Sequence, residues 1–271
     1  MNKQLAGYFL RNLTLFKPLD YIRYLFFKII KSKKNKNFIK NNPEIILPPD
    51  YLMYESFQLD YKKYYDDSIE SAREIINKTS NYINFQNANI LDWGCGPARI
   101  IRHLPLILSD KNCNFFATDY NEKTINWCKS NIKGIEFNHN LLEPGLWYSD
   151  NFFDFVYGIS IFTHLSAKMH YEWMKELIRI TKKGGVIYLT LHGQAFREKL
   201  IKKEQKIFDC GNIVVRDKVK EGHRTYVAFH PKDFVYSWLQ ETGSEILEYN
   251  EGDNKGKPQQ DIWILRKKND N

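Results

Sequence analysis

The sequence predicts an α/β protein, a doubly wound and mostly parallel sheet preceded by a helical N-terminal extension. Three observations carry this expectation. From residue 88 onward short apolar runs alternate with segments of helical periodicity. The first run ends in an acid, turns through two glycines and restarts at once as a helix, "ILDWGCGPARIIRHL" at 90–104. The first 47 residues are basic and aromatic, unlike the remainder, and at 271 residues the chain suffices for one large domain with an appendage.

Residues 1–47 are therefore read as the extension and 48–271 as the main domain. Residues 1–42 hold ten Lys or Arg against the single acid Asp20, a local charge of +9 within a total of +8, so the remainder sums to −1. Leu19, Ile22, Leu25, Phe26, Ile29 and Ile30 share one face of a helical projection, with Arg23, Lys31 and Lys34 largely opposite. Two readings stand side by side. One is an interfacial helix with aromatics in the acyl boundary and cations at the headgroups. The other is a helix packed on the main domain or on a second subunit, followed by a solvated basic linker, "KSKKNKNFIKNNPE". Arg11, Lys17 and Arg23 interrupt every apolar run near the start, which excludes a cleavable signal, and no run approaches the ~20 apolar residues of a membrane span. Cys95, Cys113, Cys128 and Cys210 form no C-x-x-C pair and read as reduced thiols of a cytoplasmic protein. The expected location is the cytoplasm, with peripheral contact at the inner membrane face through residues 1–42 if the interfacial reading holds.

Within the main domain, residues 50–83 read as mostly helical after Pro48-Pro49. Then "ANILDWG" is a strand and "ARIIRHLPLIL" a helix, "NFFATDY" a strand and "NEKTINWCKSNI" a helix, and "GIEFNHN" a third strand. "FDFVYGISIF" is a fourth strand, "SAKMHYEWMKELIRI" a helix, and "GGVIYLTLHG" a fifth strand. Residues 194–230 break the rhythm and read as an insertion over the strand ends, a substrate lid. Two strands around a Gly/Asn/Pro-rich loop close the chain. In such a sheet, ligands lie beyond the carboxyl ends of the strands, next to the first.

The glycine turn after the first strand discriminates among ligands. A phosphate loop needs Lys followed by Ser or Thr after the turn, and none is present. A dinucleotide fingerprint needs a third glycine where Arg99 stands, which weakens that reading. What remains is Asp92, a turn at Gly94 and Gly96 around Cys95 that admits close backbone approach, and a second acid, Asp119, 25 residues after Gly94, placed to accept from a ribose diol. The pattern suits a nucleoside without phosphates.

At these residues the sequence resembles the class I S-adenosylmethionine-dependent methyltransferases, over roughly residues 50–267. Their first motif, D/E-x-G-x-G-x-G, is matched by Asp92, Gly94 and Gly96, with Ala98 in place of the last glycine. The resemblance implies a Rossmann-like seven-stranded sheet whose last strand is antiparallel, and S-adenosyl-L-methionine as cofactor. It further implies that Asp119 binds the ribose, that Tyr120 lies against the adenine, and that Asn140, where an Asp is usual, reads the adenine amino group. "FDFVYGISIFTHL" is similar to the family's F-D-x-V stretch, with Ser160 near the methionine end of the cofactor.

Methyl transfer to oxygen needs alignment of the acceptor and a base for its proton. His164, after the fourth strand, and His192, at the end of the fifth, are the candidate catalytic bases, each weighed against an ordinary packing role; His230 is a poorer third. The N-P-P-Y or D-P-P-Y motif of many amino-group methyltransferases is absent, Gly158-Ile159-Ser160-Ile161 standing there. "FTHL", Leu191-His192-Gly193 and "QQDIWILRKK" resemble a branch acting in polysaccharide and glycan assembly, which implies O-methylation of a sugar hydroxyl on a glycan, lipid-linked or other small-molecule acceptor. Two alternatives stay open: an RNA methyltransferase using the basic arm, against which the near-neutral main domain argues, and a non-catalytic cofactor-binding scaffold. No residue pattern calls for a metal.

Overall fold

The computed structural model describes residues 16–56 and 59–268. The first predicted apolar segment, "LAGYFLRNLTLF", lies largely outside the described residues. Helices α1 (Phe16–Asn41), α2 (Asp50–Ser56) and α3 (Tyr61–Thr79) precede the sheet. Strands β1 (Asn89–Trp93), β2 (Asn114–Asp119), β3 (Glu136–His139), β4 (Phe153–Ile159) and β5 (Thr181–Leu191) are joined in parallel, with helices α4 (Leu104–Ile107), α5 (Glu122–Asn131) and α6 (Ala167–Ile180) between them. The insertion holds α7 (Lys202–Asp209) and the paired strands β6 (Val214–Arg216) and β7 (Val227–Phe229). Helix α8 (Lys232–Glu241), β8 (Ser244–Asn250) and β9 (Asp261–Lys267) complete the fold.

The main sheet runs β3-β2-β1-β4-β5-β9-β8, with β9 antiparallel to both neighbours. The chain reverses its direction of travel across the sheet between β1 and β4, so a crevice opens at their carboxyl ends. Alternating side chains build one core on each face: Ile90, Val186 and Tyr188 pack toward α3 and α5, whereas Leu91, Trp93, Ile187 and Leu189 pack toward α6 and α8. Local capping fixes where helices begin. Asp60 accepts from the Lys63 backbone N–H at the start of α3, Asn121 from Thr124 at α5, and Ser166 from Met169 at α6.

Two expectations about local structure are corrected. The basic run after residue 30 is not a linker: α1 continues to Asn41, because Asn35 and Phe38 are buried and Lys31 and Lys34 meet the buried Asp60 at 3.1 and 2.9 Å. The helix expected at 98–108 is a turn and a short 3-10 segment, Ile101–His103, ahead of the four-residue α4. Pro105 there sits in the first turn of α4, and Ala98 takes the left-handed φ of +58° that the motif's glycine would adopt freely.

Candidate functional site

The crevice beyond β1, β2 and β4 holds two adjoining cavities that share Gly94, Asp119, Tyr120, Ile161, His164 and Gly222 in their walls. The larger encloses about 830 Å³ of empty space including its open mouth, about twice that of the smaller, about 430 Å³. Residues from every element that converges here contribute. The glycine turn, the tips of β2 and β4, the end of α2 and the loop between β6 and β7 form its walls.

The glycine turn is shaped by its backbone. Gly94 and Gly96 have φ of +76° and +51°, a region that favours glycine, and a Cβ at Gly94 would run into the Ile161 side chain. The Gly94 and Cys95 N–H groups both donate to the Thr118 carbonyl, at 2.8 and 2.9 Å, which binds the turn to β2. Asp119 is then oriented from both sides: Gly96 N–H donates to Oδ2 at 2.8 Å and Asn121 N–H to Oδ1 at 2.7 Å. Burial raises its pKa, but those two donors favour the charged form. Each oxygen keeps a lone pair for a further donor.

The other predicted binding residues divide between the cavity wall and the layer beneath. Tyr120 lines both cavities and donates its hydroxyl to the Gly222 carbonyl at 3.0 Å. Asn140 lines the smaller one; its amide nitrogen donates to the Leu141 carbonyl at 2.6 Å, while its buried Oδ1 has no hydrogen-bond partner. Ser160 lines the larger one with a left-handed φ of +66°, held there by its N–H to Thr190 Oγ1 at 2.9 Å and by Gln260 donating to its Oγ at 2.7 Å. Asp92 and Cys95 are not among the wall residues. Asp92 is buried under the turn beside Tyr157 and Arg99, and burial pushes its pKa up to about 7; the Cys95 thiol faces the Gly96 carbonyl.

The two candidate bases are separated in the same way. His164 lines both cavities, with Nδ1 2.7 Å from the Tyr226 carbonyl. His192 lies behind, stacked on Phe196 at 4.1 Å between ring centroids, and burial lowers its pKa to about 3. His230 is fully buried against His170, their Nε2 atoms 2.8 Å apart.

Several wall residues had no sequence signal of their own. Glu55 reaches the cavity from the end of α2 and accepts from Asn121 Nδ2 at 3.4 Å; burial raises its pKa. Gly222, His223 and Arg224 arrive from the insertion, whose place over the strand ends was expected although no single residue was. Gly222 N–H donates to the His164 carbonyl at 2.9 Å, and Arg224 forms an ion pair with Asp20 of α1. Among the described residues no group of three or more His, Cys, Asp or Glu is arranged to hold a metal ion.

Residues 91–189, from β1 through β5, match the family model described as a methyltransferase domain. Over these residues the chain carries a class I S-adenosylmethionine-dependent methyltransferase domain. The methyltransferase resembles, in fold, an S-adenosylmethionine-dependent methyltransferase of Methanosarcina mazei, with a TM-score of 0.52 and 22% identity over 71% of this chain and 98% of that one. It likewise resembles one from Mesorhizobium loti (TM-score 0.55, 12% identity, 73% and 99% of the two chains). A third is the 1,6-didemethyltoxoflavin-N1-methyltransferase of Burkholderia thailandensis (TM-score 0.53, 10% identity, 74% and 79%). No curated protein matches the chain. S-adenosylmethionine is the methyl donor, and the walls fit it: an unpartnered buried acceptor on Asn140, a carboxylate on Asp119 with lone pairs to spare, and a turn at Gly94 that a side chain would obstruct.

Proposed function

We propose that this methyltransferase acts on a hydroxyl oxygen of a small-molecule acceptor, a sugar of a glycan or of a lipid-linked intermediate, with His164 as the base. The tautomer of His164 carries this reading. A carbonyl oxygen can only accept, so the contact with Tyr226 places the ring proton on Nδ1 and leaves the lone pair on Nε2. Burial lowers the pKa of the ring, which keeps it neutral and able to take a proton at neutral pH.

When bound, S-adenosylmethionine supplies an electrophilic methyl carbon on a sulfonium. Asp119 would accept from its ribose diol, Tyr120 would lie along the adenine, and Asn140 Oδ1 would accept from the adenine amino group. Gly94 and Gly96 give close backbone approach, with Ser160 toward the methionine end. Asp92 and Cys95 support the turn from beneath. His164 Nε2 would take the proton of the acceptor hydroxyl as that oxygen bonds the methyl carbon, the broken C–S bond leaving its electron pair on sulfur as the neutral thioether S-adenosylhomocysteine. We place His192 behind His164 as a packing partner of Phe196 rather than as a second base.

The acceptor class rests on the absence of N-P-P-Y and on the "FTHL" and "QQDIWILRKK" stretches. A lipid-linked acceptor would bring the chain to the inner membrane face. Transfer of labelled methyl from S-adenosylmethionine to nucleotide sugars, lipid-linked sugars and RNA tests it. The expected product is a methyl ether on a sugar; transfer to RNA alone would replace this reading. His164→Gln should lower kcat at least about a hundredfold while cofactor affinity stays unchanged by calorimetry. An unchanged rate removes His164 from the mechanism.

A further inference from the structure

Helix α1 is packed by its more polar face and bares its apolar one. Inward, Tyr24 and Phe38 are buried, Asp20 Oδ1 accepts from the Tyr54 hydroxyl at 3.0 Å, and Lys31 and Lys34 reach Asp60. Outward, Ile22, Leu25, Phe26 and Ile29 are 60%, 41%, 58% and 76% exposed. Their spacing is that of one helical stripe, with Tyr21 and Ile30 at its borders, also exposed. The same stripe continues toward the C-terminus of α1 as Lys33, Lys36 and Lys40, all exposed.

We propose that this face of α1, Ile22, Leu25, Phe26 and Ile29 followed by Lys33, Lys36 and Lys40, docks on an anionic lipid bilayer. The partner must cover apolar side chains and, one helical turn further on, offer negative charge. A bilayer surface does both, acyl boundary for the apolar half and headgroup phosphates for the lysines. Nucleic acid would meet the lysines but leave Phe26 and Ile29 in water. A second copy of the helix has nothing to offer the lysines: Asp20, the one acid in α1, is engaged inward by Tyr54 and Arg224. The consequence for the site is direct, because Arg224 lines the cofactor cavity and is ion-paired to the inner side of the same helix. Docking would therefore set the cavity one helix diameter from the lipid surface. The inference goes beyond the acceptor proposed above and does not depend on it, since its readout contains no methyl transfer.

Co-sedimentation of the full chain with phosphatidylcholine vesicles, with and without phosphatidylglycerol, is the test. The intact chain should bind the anionic vesicles. The double variant Phe26→Ser, Ile29→Glu should lose about tenfold or more of that binding, and Lys33→Glu, Lys36→Glu, Lys40→Glu should lose the response to phosphatidylglycerol. These positions face away from the core, so cofactor affinity by calorimetry should match the intact chain and certify the fold of each variant. The proposal is overturned if the intact chain stays in the supernatant or if the apolar variant sediments as well as the intact chain. Two further results would also overturn it. One is light scattering that shows a dimer which the apolar variant dissolves. The other is RNA binding that needs the lysines while Phe26 and Ile29 prove dispensable.

Discussion

Asp119 concentrates the most chemistry in the fewest atoms. Both of its oxygens accept backbone N–H groups, from Gly96 and Asn121, before any ligand arrives. Asp119→Asn keeps the size but converts one oxygen into a donor, which would face one of those N–H groups or a ribose hydroxyl. A lost hydrogen bond to a charged acceptor is worth about 1.5–3 kcal/mol, so S-adenosylmethionine should bind roughly ten- to a hundredfold more weakly by calorimetry. Equal affinity would mean that the carboxylate serves the turn alone. The pair of acids was legible in the sequence because each closes an apolar run, but their division of labour was not. Side chains on adjacent strands can rise to the cavity or sink under the turn. Asp92 sinks because Gly94 and Cys95 N–H groups are drawn to the Thr118 carbonyl, closing the turn above it. Ser160 was legible by position, yet its left-handed backbone was not, since the bonds from Thr190 and Gln260 that hold it come from 30 and 100 residues away.

At the scale of elements, Asp60 joins two helices. It caps α3 through the Lys63 N–H at 3.2 Å and meets Lys31 and Lys34 of α1, and although burial raises its pKa, the contacts with Lys34, Lys31 and the Lys63 N–H prevail and hold it below the usual carboxylate range. Asp60→Ala removes cap and ion pairs together and should cost about 1–3 kcal/mol in urea unfolding. Asp60→Asn, an equally good cap, should recover about 1 kcal/mol of that while leaving the lysines unpaired. If both variants unfold at the same urea concentration, the cap contributes nothing and the ion pairs carry the contact. The β-α alternation was readable because strands and helices announce themselves by local period. The attachment of α1 was not. A helical projection ranks faces by hydropathy, and here the buried face is chosen by distant partners, Asp60, Tyr54 and Arg224. The apolar face that a projection would bury is the one left bare.

Across the whole molecule, acid should act through histidines that the fold holds neutral. His170 Nδ1 lies 2.7 Å from the Ser166 carbonyl and must donate to it, so its Nε2 is bare and His230 Nε2–H donates across the 2.8 Å between the rings. Burial lowers the pKa of His170 to about 4 and holds that of His230 well below the ordinary histidine value. Below the ordinary histidine value of about 6.5 the unfolded chain binds protons that the folded chain refuses. Stability from this pair is therefore fully present above pH ~6.5 and is lost as pH falls toward 4. Carboxyls with raised pKa push the other way over the same range, Asp92 at about 7 and Asp261 at about 6, both lifted by burial, because the folded chain holds their protons longer. The net slope mixes both sets, but a variant separates them. His170→Gln, His230→Gln removes the refusing pair and leaves the carboxyls. Its deficit in unfolding free energy against the unaltered chain should be greatest at pH 7 and shrink toward pH 5, by at most about 1.4 kcal/mol per pH unit for each histidine. Urea unfolding at pH 7, 6 and 5 measures this. A deficit independent of pH would mean that the pair is matched by its protonation in the unfolded chain, and acid sensitivity would then have to come from His103, His164 or His192, whose pKa values burial also lowers.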